Sequence, residues 1–307
     1  MNARRIAARR WPSPARLFRP PHVRSPLIPN DSAAIALPPA LGAKYQALMA
    51  CLAGFERTIT GFSGGVDSTL VAYLAHRALG ERALAVTSAS PSLNRDDLEL
   101  TRRLARAWGM RHEVIETQEM ADPHYRANPS NRCYYCKTTL YGDLEAIAAR
   151  TDGATLLNGT NLDDLGDHRP GLQAADEHRV RSPLAECGFR KTDIRALAGA
   201  LGLPNADKPQ AACLSSRVPY GLSISVPVLN QIEAAEKVLK DLGMHQVRVR
   251  HHDSVARIEV PPEDFAAVLR HREEIDRALR ALGYRYIALD LTGFRSGSLN
   301  EGLTGGE

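Results

Sequence analysis

The chain has 307 residues, of which 44% are apolar and 24% charged, as in ordinary globular proteins. This length favours about two domains, and no run of about 18 apolar residues is present that would span a membrane. The net charge of +4 arises at the start of the chain, because residues 1–30 hold seven arginines and no acid, which leaves −3 for the rest. We therefore expect neither a membrane protein nor one with a large nucleic-acid surface.

The first 40 residues differ from the rest in composition. They hold eight prolines and seven arginines with little apolar periodicity, so we predict a disordered extension over residues 1–40. An acid-free, arginine-rich start is also typical of a transit peptide, but the prolines would break its amphipathic helix. Without a secretory signal, the five cysteines are predicted to be reduced thiols of a cytoplasmic protein.

Apolar periodicity predicts the elements that follow the extension. Helices are expected at residues 41–53, 67–79, 96–108, 134–149 and 192–201, and strands at residues 58–61, 82–89, 112–115 and 154–157. Because strands alternate with helices, the predicted fold class is α/β, a doubly wound parallel sheet in a domain over residues 41–215. Ligands of such sheets bind at the carboxyl ends of the strands.

The pattern changes after residue 215 and predicts a smaller α+β domain over residues 216–307. Its expected helices are residues 228–242 and 262–282, and its expected strands are residues 246–250, 256–260 and 286–291, with a polar turn at residues 251–254. Arg248 and Arg250 alternate along one strand and therefore face the same side. Paired guanidinium groups suit phosphate, although a solvated strand face is the alternative.

The stretch Ser63-Gly64-Gly65-Val66-Asp67-Ser68, called here the phosphate loop, joins a predicted strand to a predicted helix. Its glycines expose backbone N–H groups, its serines add hydroxyl donors, and the helix directs its positive dipole end to the same place. This chemistry predicts binding of phosphate oxygens. The spacing fits neither a Walker A loop nor a dinucleotide fingerprint. A tight turn with incidental serines is the alternative.

Two further stretches carry ligand chemistry. Cys133 and Cys136 stand three apart at a predicted helix start, where they can share a metal centre, form a redox pair, or be two half-buried thiols. Residues 158–164 form a loop that leaves a strand and ends in carboxylates, among them Asp164. Carboxylates beside a phosphate loop suit Mg²⁺, and a solvated loop with helix caps is the alternative.

A third cysteine, Cys213, lies among small residues near Lys208 and Arg217. Their positive charges would favour its thiolate, although a packed linker cysteine is an equal alternative. Cys51 and Cys187 match no motif and are predicted to be buried or incidental thiols.

The phosphate loop resembles the PP-loop of the ATP pyrophosphatases, and the chain as a whole resembles the LarE family within that superfamily. LarE proteins are ATP-dependent sulfur transferases that help build the nickel-pincer nucleotide cofactor of lactate racemase. The resemblance covers residues 41–300. It depends on the phosphate loop and on residues 132–137, 159–161, 167–171, 181–184 and 207–221, of which residues 212–221 are the most specific.

The resemblance implies the reaction. ATP with Mg²⁺ would adenylate a carboxylate of pyridinium-3,5-biscarboxylic acid mononucleotide and release pyrophosphate, after which a sulfur nucleophile would displace AMP and leave a thiocarboxylate. It places the nucleotide at Ser63, Gly64, Gly65, Asp67, Ser68 and Arg217, and Mg²⁺ at Asp67 and Asp164.

The family supplies the sulfur in two ways. Some members sacrifice the cysteine that matches Cys213, which becomes dehydroalanine. Others hold a [4Fe–4S] cluster with three cysteines that match Cys133, Cys136 and Cys213, and the open iron carries an extra sulfide. Because all three are present, the resemblance favours the cluster, with sacrifice of Cys213 as the alternative. Zinc competes as the metal, but a structural zinc site takes four ligands.

The resemblance also implies a hexamer in which Arg248 and Arg250 bind the substrate phosphate, and a product that passes to a nickel-inserting partner. Three other classes of protein would also have the phosphate loop: a tRNA thiolase with a cysteine-bound cluster, an ammonia-using ligase such as an NAD or GMP synthetase, and a nucleotide-binding regulator without turnover. The slightly acidic body argues against tRNA binding, and an ammonia-using ligase does not need the three cysteines.

Overall fold

The structure is a computed structural model, and it describes residues 36–166, 170–209, 212–295 and 299. Most of the predicted extension therefore lies outside the described residues, as do motif residues 167–169. The first helix starts at Pro39, two residues before its predicted start. Proline fits the first helical position, where its missing N–H would have no partner in the helix.

A parallel sheet organises the first part of the described chain. Its strands are β1 (Thr58–Gly61), β2 (Ala83–Ser88), β3 (Arg111–Ile115) and β4 (Thr155–Leu157), in the spatial order β3-β2-β1-β4. The chain adds β2 and β3 on one side of β1 and then places β4 on its other side, so the strand order reverses between β1 and β4. In α/β sheets, ligands bind at the carboxyl ends of the strands next to such a switch point. The predicted α/β class and the four strands are confirmed.

Helices cover both faces of this sheet. In chain order they are α1 (Pro39–Ala53), α2 (Val66–Leu79), α3 (Arg95–Trp108), α4 (Pro123–Arg126), α5 (Arg132–Ala149), α6 (Leu162–Leu165), α7 (Pro170–Glu177), α8 (Pro183–Glu186) and α9 (Lys191–Ala200). Side chains such as Ala85 pack towards α1, α2 and α9, whereas Leu84 packs towards α5 and α7. Because both faces are covered, the strands appear as continuous apolar runs in the sequence. The short helices α4, α6, α7 and α8 were not predicted.

The last part of the described chain forms a second sheet. Its strands are β5 (Arg248–His252), β6 (Val255–Glu259) and β7 (Tyr286–Leu289), packed with α10 (Val226–Asp241), α11 (Phe265–Arg270) and α12 (Arg272–Ala281). The predicted four-residue turn is wrong: residues 251 and 252 pair with β6, and the hairpin closes through Asp253 at φ +50° and Ser254. The predicted helix over residues 262–282 is interrupted at His271, where ψ is 14°.

A shared apolar cluster joins the two parts of the chain. It packs residues before and after the predicted boundary at residue 215 together, namely Tyr125, Leu214, Val218, Ile224, Leu229 and Ile232. Among the described residues, no helix combines the length and the apolar character that crossing a membrane requires.

Candidate active site

The phosphate loop is closed by its own hydroxyls and by distant side chains. The Ser63 N–H donates to Ser68 Oγ at 3.2 Å, and Gly64 adopts φ +75°, a left-handed conformation that favours glycine. The Gly64 carbonyl accepts from Asn205 Nδ2 and Lys208 Nζ, both at 3.1 Å. The loop is therefore held in one conformation before any ligand binds.

Residues of strands β2 and β3 fix Phe62, the residue that precedes the phosphate loop. The Thr87 hydroxyl donates its only proton to the Phe62 carbonyl at 2.6 Å. It must therefore accept the 2.8 Å hydrogen bond from His112, which makes His112 Nε2 the protonated ring nitrogen. Burial lowers the pKa of His112, and the charge of Arg102 lowers it further, so this imidazole favours its neutral form.

The loop after β4 packs directly on the start of α2. A β-carbon at Gly159 would lie 2.7 Å from the Ser68 nitrogen and 2.9 Å from the Asp67 carbonyl carbon. Only glycine permits this approach. The two loops on either side of the switch point therefore form one wall of the site.

The two predicted Mg²⁺ ligands meet at this wall. Asn161 Nδ2 donates to Asp164 Oδ2 at 2.8 Å and to Asp67 Oδ1 at 3.4 Å, which brings both carboxylates to one amide. Lys191 Nζ forms an ion pair with Asp67. Mg²⁺ is commonly bound by one or two carboxylates together with substrate phosphates, so this pair suits it.

Asp164 also caps a helix, which is the role that the sequence analysis gave as the alternative for this loop. Its carboxylate accepts the Asn161 N–H at 3.0 Å in a capping box at the start of α6. An asparagine followed three residues later by an acid is the sequence signal of such a box. Lys191 was missed, and it has no such signal, because it meets Asp67 only through the fold.

The three thiols of the predicted sulfur site share one region. Cys133 and Cys213 are exposed, and Cys136 is half-buried in the first turns of α5. Burial raises the pKa of the Cys136 thiol to about 12, the Lys137 ammonium opposes that shift, and Cys213 and Cys133 add to it. Among the described residues, no three His, Cys, Asp or Glu side chains lie close enough to hold a single metal ion.

Residues 212–220, called here the Cys213 segment, are contacted by Arg217 at their start. This buried guanidinium is paired with Glu236 at 2.7 Å, and its Nη1 donates to the carbonyls of Ala212 at 2.6 Å and Cys213 at 3.2 Å. Arg217 thus contacts the backbone at Cys213, while Lys208 pairs with Asp97 and the phosphate loop. Contact of Arg217 with the nucleotide stays a prediction.

Arg248 and Arg250 lie on the same side of β5, and both are buried. Arg250 pairs with Glu259, with both hydrogen bonds at 2.9 Å, and donates to the Ser216 carbonyl at 2.6 Å. Arg248 stacks on Phe294 at 4.3 Å and forms no ion pair within the described residues. Burial, followed by the charges of Arg250 and Arg217, lowers the pKa of Arg248 to about 10.

The other two cysteines contact each other. Cys51, in α1, and Cys187, at the end of α8, are half-buried, and their thiols share a hydrogen bond. Burial raises the pKa of both, to about 11 for Cys187. The prediction was of buried or incidental thiols, and their contact with each other was not foreseen.

A doubly wound parallel sheet with this phosphate loop after its first strand defines a PP-loop ATP pyrophosphatase. A family model for NAD synthase matches residues 49–146. An uncharacterized protein of Synechocystis is 44% identical over 266 residues, which cover 86% of this chain and 99% of the relative. A tRNA-specific 2-thiouridylase of Azorhizobium caulinodans is 30% identical, but over only 50% of this chain and 49% of that enzyme.

One relative of known activity matches almost throughout. The pyridinium-3,5-bisthiocarboxylic acid mononucleotide synthase of Lactiplantibacillus plantarum is 40% identical over 265 residues, which cover 86% of this chain and 96% of that enzyme. The chain therefore belongs to the LarE family of ATP-dependent sulfur transferases.

Proposed function

We propose that the protein inserts sulfur into pyridinium-3,5-biscarboxylic acid mononucleotide at the expense of ATP, as a step of nickel-pincer nucleotide synthesis. One observation carries this proposal: the chain around Cys213 is anchored to the same sheet edge as the phosphate loop. Lys208 binds the Gly64 carbonyl, and the Leu214 N–H donates to the Ser92 carbonyl, which follows β2, at 2.8 Å. A substrate carboxylate that is activated at the phosphate loop would thus lie at the same sheet edge as Cys213.

Adenylation makes the carboxylate reactive. In the proposed step a substrate carboxylate oxygen attacks the α-phosphorus of ATP, and the bond from that phosphorus to the bridging oxygen of pyrophosphate breaks. Ser63, Gly64, Gly65 and Ser68 would hold the departing pyrophosphate with N–H and hydroxyl donors. Asp67 and Asp164 would hold Mg²⁺, which neutralises charge on the phosphates. The acyl carbon then bears AMP, a far better leaving group than oxide.

The thiol set is compatible with a [4Fe–4S] cluster. Each thiolate of such a cluster binds a different iron, so the three sulfurs need not converge as they would on a single ion. Arg132, the residue before Cys133, is buried, and its Nε has no hydrogen-bond acceptor within the described residues, so an anionic centre held at Cys133 would help to compensate this buried charge. Cys133, Cys136 and Cys213 would hold the cluster, which would supply the sulfide that displaces AMP. Consumption of the Cys213 sulfur is the alternative source.

The second sheet would bind the substrate phosphate. Arg248, Arg250 and Arg217 form a buried cluster of positive charge in which Arg250 and Arg217 already pair with Glu259 and Glu236. Arg248 is therefore the member best suited to an added anion, because a phosphate would compensate its buried charge. The hexamer and the nickel-inserting partner stay predictions of the family resemblance.

Product analysis tests the proposal. Anaerobically prepared protein with ATP, Mg²⁺, sulfide and the biscarboxylate mononucleotide should form AMP, pyrophosphate and the thiocarboxylate together. Cys213→Ser should keep substrate-dependent ATP–pyrophosphate exchange and lose the thiocarboxylate. Absence of both exchange and thiocarboxylate in the unaltered protein would contradict the proposal, and tight tRNA binding at physiological salt would favour the thiolase reading instead.

A further inference from the structure

Glu119 is a buried carboxylate for which the reaction has no stated use. It follows β3, is only 1% exposed, and accepts hydrogen bonds from Thr117 Oγ1 at 2.6 Å and from Ser90 Oγ. No Lys, Arg or His of the described residues forms an ion pair with it. Burial of an acid whose partners within the described residues are hydroxyl groups costs free energy, which indicates that its hydrogen bonds serve the surrounding geometry.

The hydrogen bonds of Glu119 shape the turn that follows β2. Ser90 Oγ, which donates to the carboxylate, lies 2.7 Å from Ser92 Oγ and accepts the Ser92 N–H at 3.0 Å. The carboxylate thus orients the Ser90 hydroxyl, and that hydroxyl fixes the backbone at Ser92. Thr117 ties the same carboxylate to the end of β2, because its Oγ1 lies 2.6 Å from Ser88 Oγ.

This turn holds the residues immediately after Cys213. The Ser92 carbonyl accepts the Leu214 N–H at 2.8 Å. The Tyr125 hydroxyl, which is buried, bonds to both Ser92 and Ser215, the latter at 2.7 Å. The Cys213 side chain is exposed, so its position depends on its backbone, which Arg217 holds directly and which this turn holds through the next two residues.

We infer that Glu119 is a positioning residue for sulfur transfer, which sets the place of Cys213 through the turn at Ser90 and Ser92. The role in sulfur transfer rests on the proposed function, whereas the role of Glu119 in holding the turn rests on the hydrogen bonds alone. The phosphate loop has its own support in Asn205 and Lys208, so loss of Glu119 should affect transfer and spare adenylation.

Glu119→Gln tests this assignment in the full-length protein. The amide keeps the shape but replaces one acceptor oxygen with a donor, so the hydroxyl that faces the amide nitrogen must change from donor to acceptor and alter its other hydrogen bonds. We expect kcat for thiocarboxylate formation to fall about 100-fold, since a small displacement of a reacting group can cost that much. The KM for ATP and the rate of ATP–pyrophosphate exchange should stay within about twofold.

Hydrogen exchange gives a readout that does not need turnover. In Glu119→Gln, the amide of Leu214 should exchange at least tenfold faster, while amides of the phosphate loop keep their protection. Glu116→Gln is the matched control, because it makes the same chemical change on an exposed side chain three residues earlier. It should change neither transfer nor exchange at Leu214.

The outcomes separate the inference from the proposed function. Unaltered transfer and unaltered Leu214 protection in Glu119→Gln would overturn the inference. An equal loss of transfer and of ATP–pyrophosphate exchange, with a lowered Tm, would overturn it as well, because it would indicate a general structural role. Absence of transfer in the unaltered protein would contradict the proposed function, and the exchange rate at Leu214 would still decide whether Glu119 holds the turn.

Discussion

The phosphate loop and the Cys213 segment lie on the same sheet edge but are built differently. The loop is one continuous hexapeptide whose own serines bond to each other, and Asn205 and Lys208 close it from outside. The proposed sulfur site instead takes its thiols from two separate segments, and Cys133 and Cys213 are exposed. The phosphate loop is thus fixed by its own hydrogen bonds, while the thiols are exposed and the Cys213 segment is held by hydrogen bonds to the turn that follows β2.

This difference fits the two kinds of chemistry. Phosphate binding gains from donors fixed in advance, because no reorganisation is then needed when charge develops. A thiol that hands over sulfur must instead reach a substrate and be accessible for recharging. The comparison predicts that substitutions in the two halves affect different steps.

The largest effect is expected at Cys213. Cys213→Ser should lower thiocarboxylate formation at least about 1000-fold, because it removes a sulfur that both proposed routes require. Cys51→Ser is the matched control, because that thiol contacts Cys187 instead of the other three. Quantification of the thiocarboxylate by mass spectrometry checks both. Equal activity of Cys213→Ser and the parent protein would contradict the role of Cys213 in sulfur transfer.

The wall between the two loops should be nearly as sensitive. Gly159→Ala places a methyl group 2.7 Å from the Ser68 nitrogen, so the start of α2 must shift. We expect ATP–pyrophosphate exchange to fall about 100-fold, and the free energy of unfolding to drop by about 1–3 kcal/mol.

Gly142→Ala controls for the change of residue type. Gly142 lies in α5 with nothing within 4 Å of an added methyl group. This helical alanine should therefore stabilise the protein by up to about 1 kcal/mol and keep exchange normal. If the two alanine variants behaved alike, the close contact at Gly159 would have no functional role.

The two arginines of β5 should separate stability from binding. Arg250→Met removes the bidentate partner of Glu259, which is 0% exposed, and leaves it paired with Arg257 at 3.2 Å. Loss of one member of such a pair should cost about 3 kcal/mol of unfolding free energy. Arg248→Met breaks no ion pair, so it should instead raise the KM for the mononucleotide at least about tenfold.

Denaturant unfolding and steady-state kinetics on both variants measure these effects. The assignment of Arg248 to the substrate phosphate fails if Arg248→Met has an unchanged KM and a large loss of stability.

The smallest expected effect is a pH dependence of stability. Burial lowers the pKa of His112, His251 and His252 in the folded state. The unfolded chain then binds more protons below about pH 6.5, so stability is present above that pH and is lost as the pH falls towards 5. The loss is at most about 1.4 kcal/mol per pH unit for each extra proton.

Urea denaturation between pH 5 and 7 measures this loss. His251→Gln should flatten the dependence, whereas the same change at the exposed His245 should not. A dependence of opposite sign, with stability rising as the pH falls, would contradict the burial of neutral imidazoles.

The sequence predicts the parallel sheet well because local signals carry it. Buried strands appear as short apolar runs, and the phosphate loop is a continuous motif between a strand and a helix. The contacts that complete the site join residues far apart in sequence. Lys191 reaches Asp67, and Glu119 supports Cys213, only because the fold brings them together. No local pattern distinguishes these residues from surface charges.

The hairpin of the second sheet shows a different limit. His251 and His252 are polar and were assigned to a turn, but in the structure they extend β5 opposite Ala256 and Val255. Pairing with β6 and the burial of His251 outweighed their polarity. The three cysteines were found as motifs, whereas their electrostatic coupling to one another became visible only in the folded chain.

The central claim is that the three thiols serve as a reusable sulfur donor beside the phosphate loop. The most direct test is to reconstitute the protein anaerobically, assay iron and acid-labile sulfide, and measure the intact mass after turnover with ATP, Mg²⁺, sulfide and the biscarboxylate mononucleotide. About four irons per chain, repeated turnovers and an unchanged polypeptide mass are predicted. No iron, at most one sulfur transferred per chain, and a mass loss equal to hydrogen sulfide at Cys213 would contradict the claim.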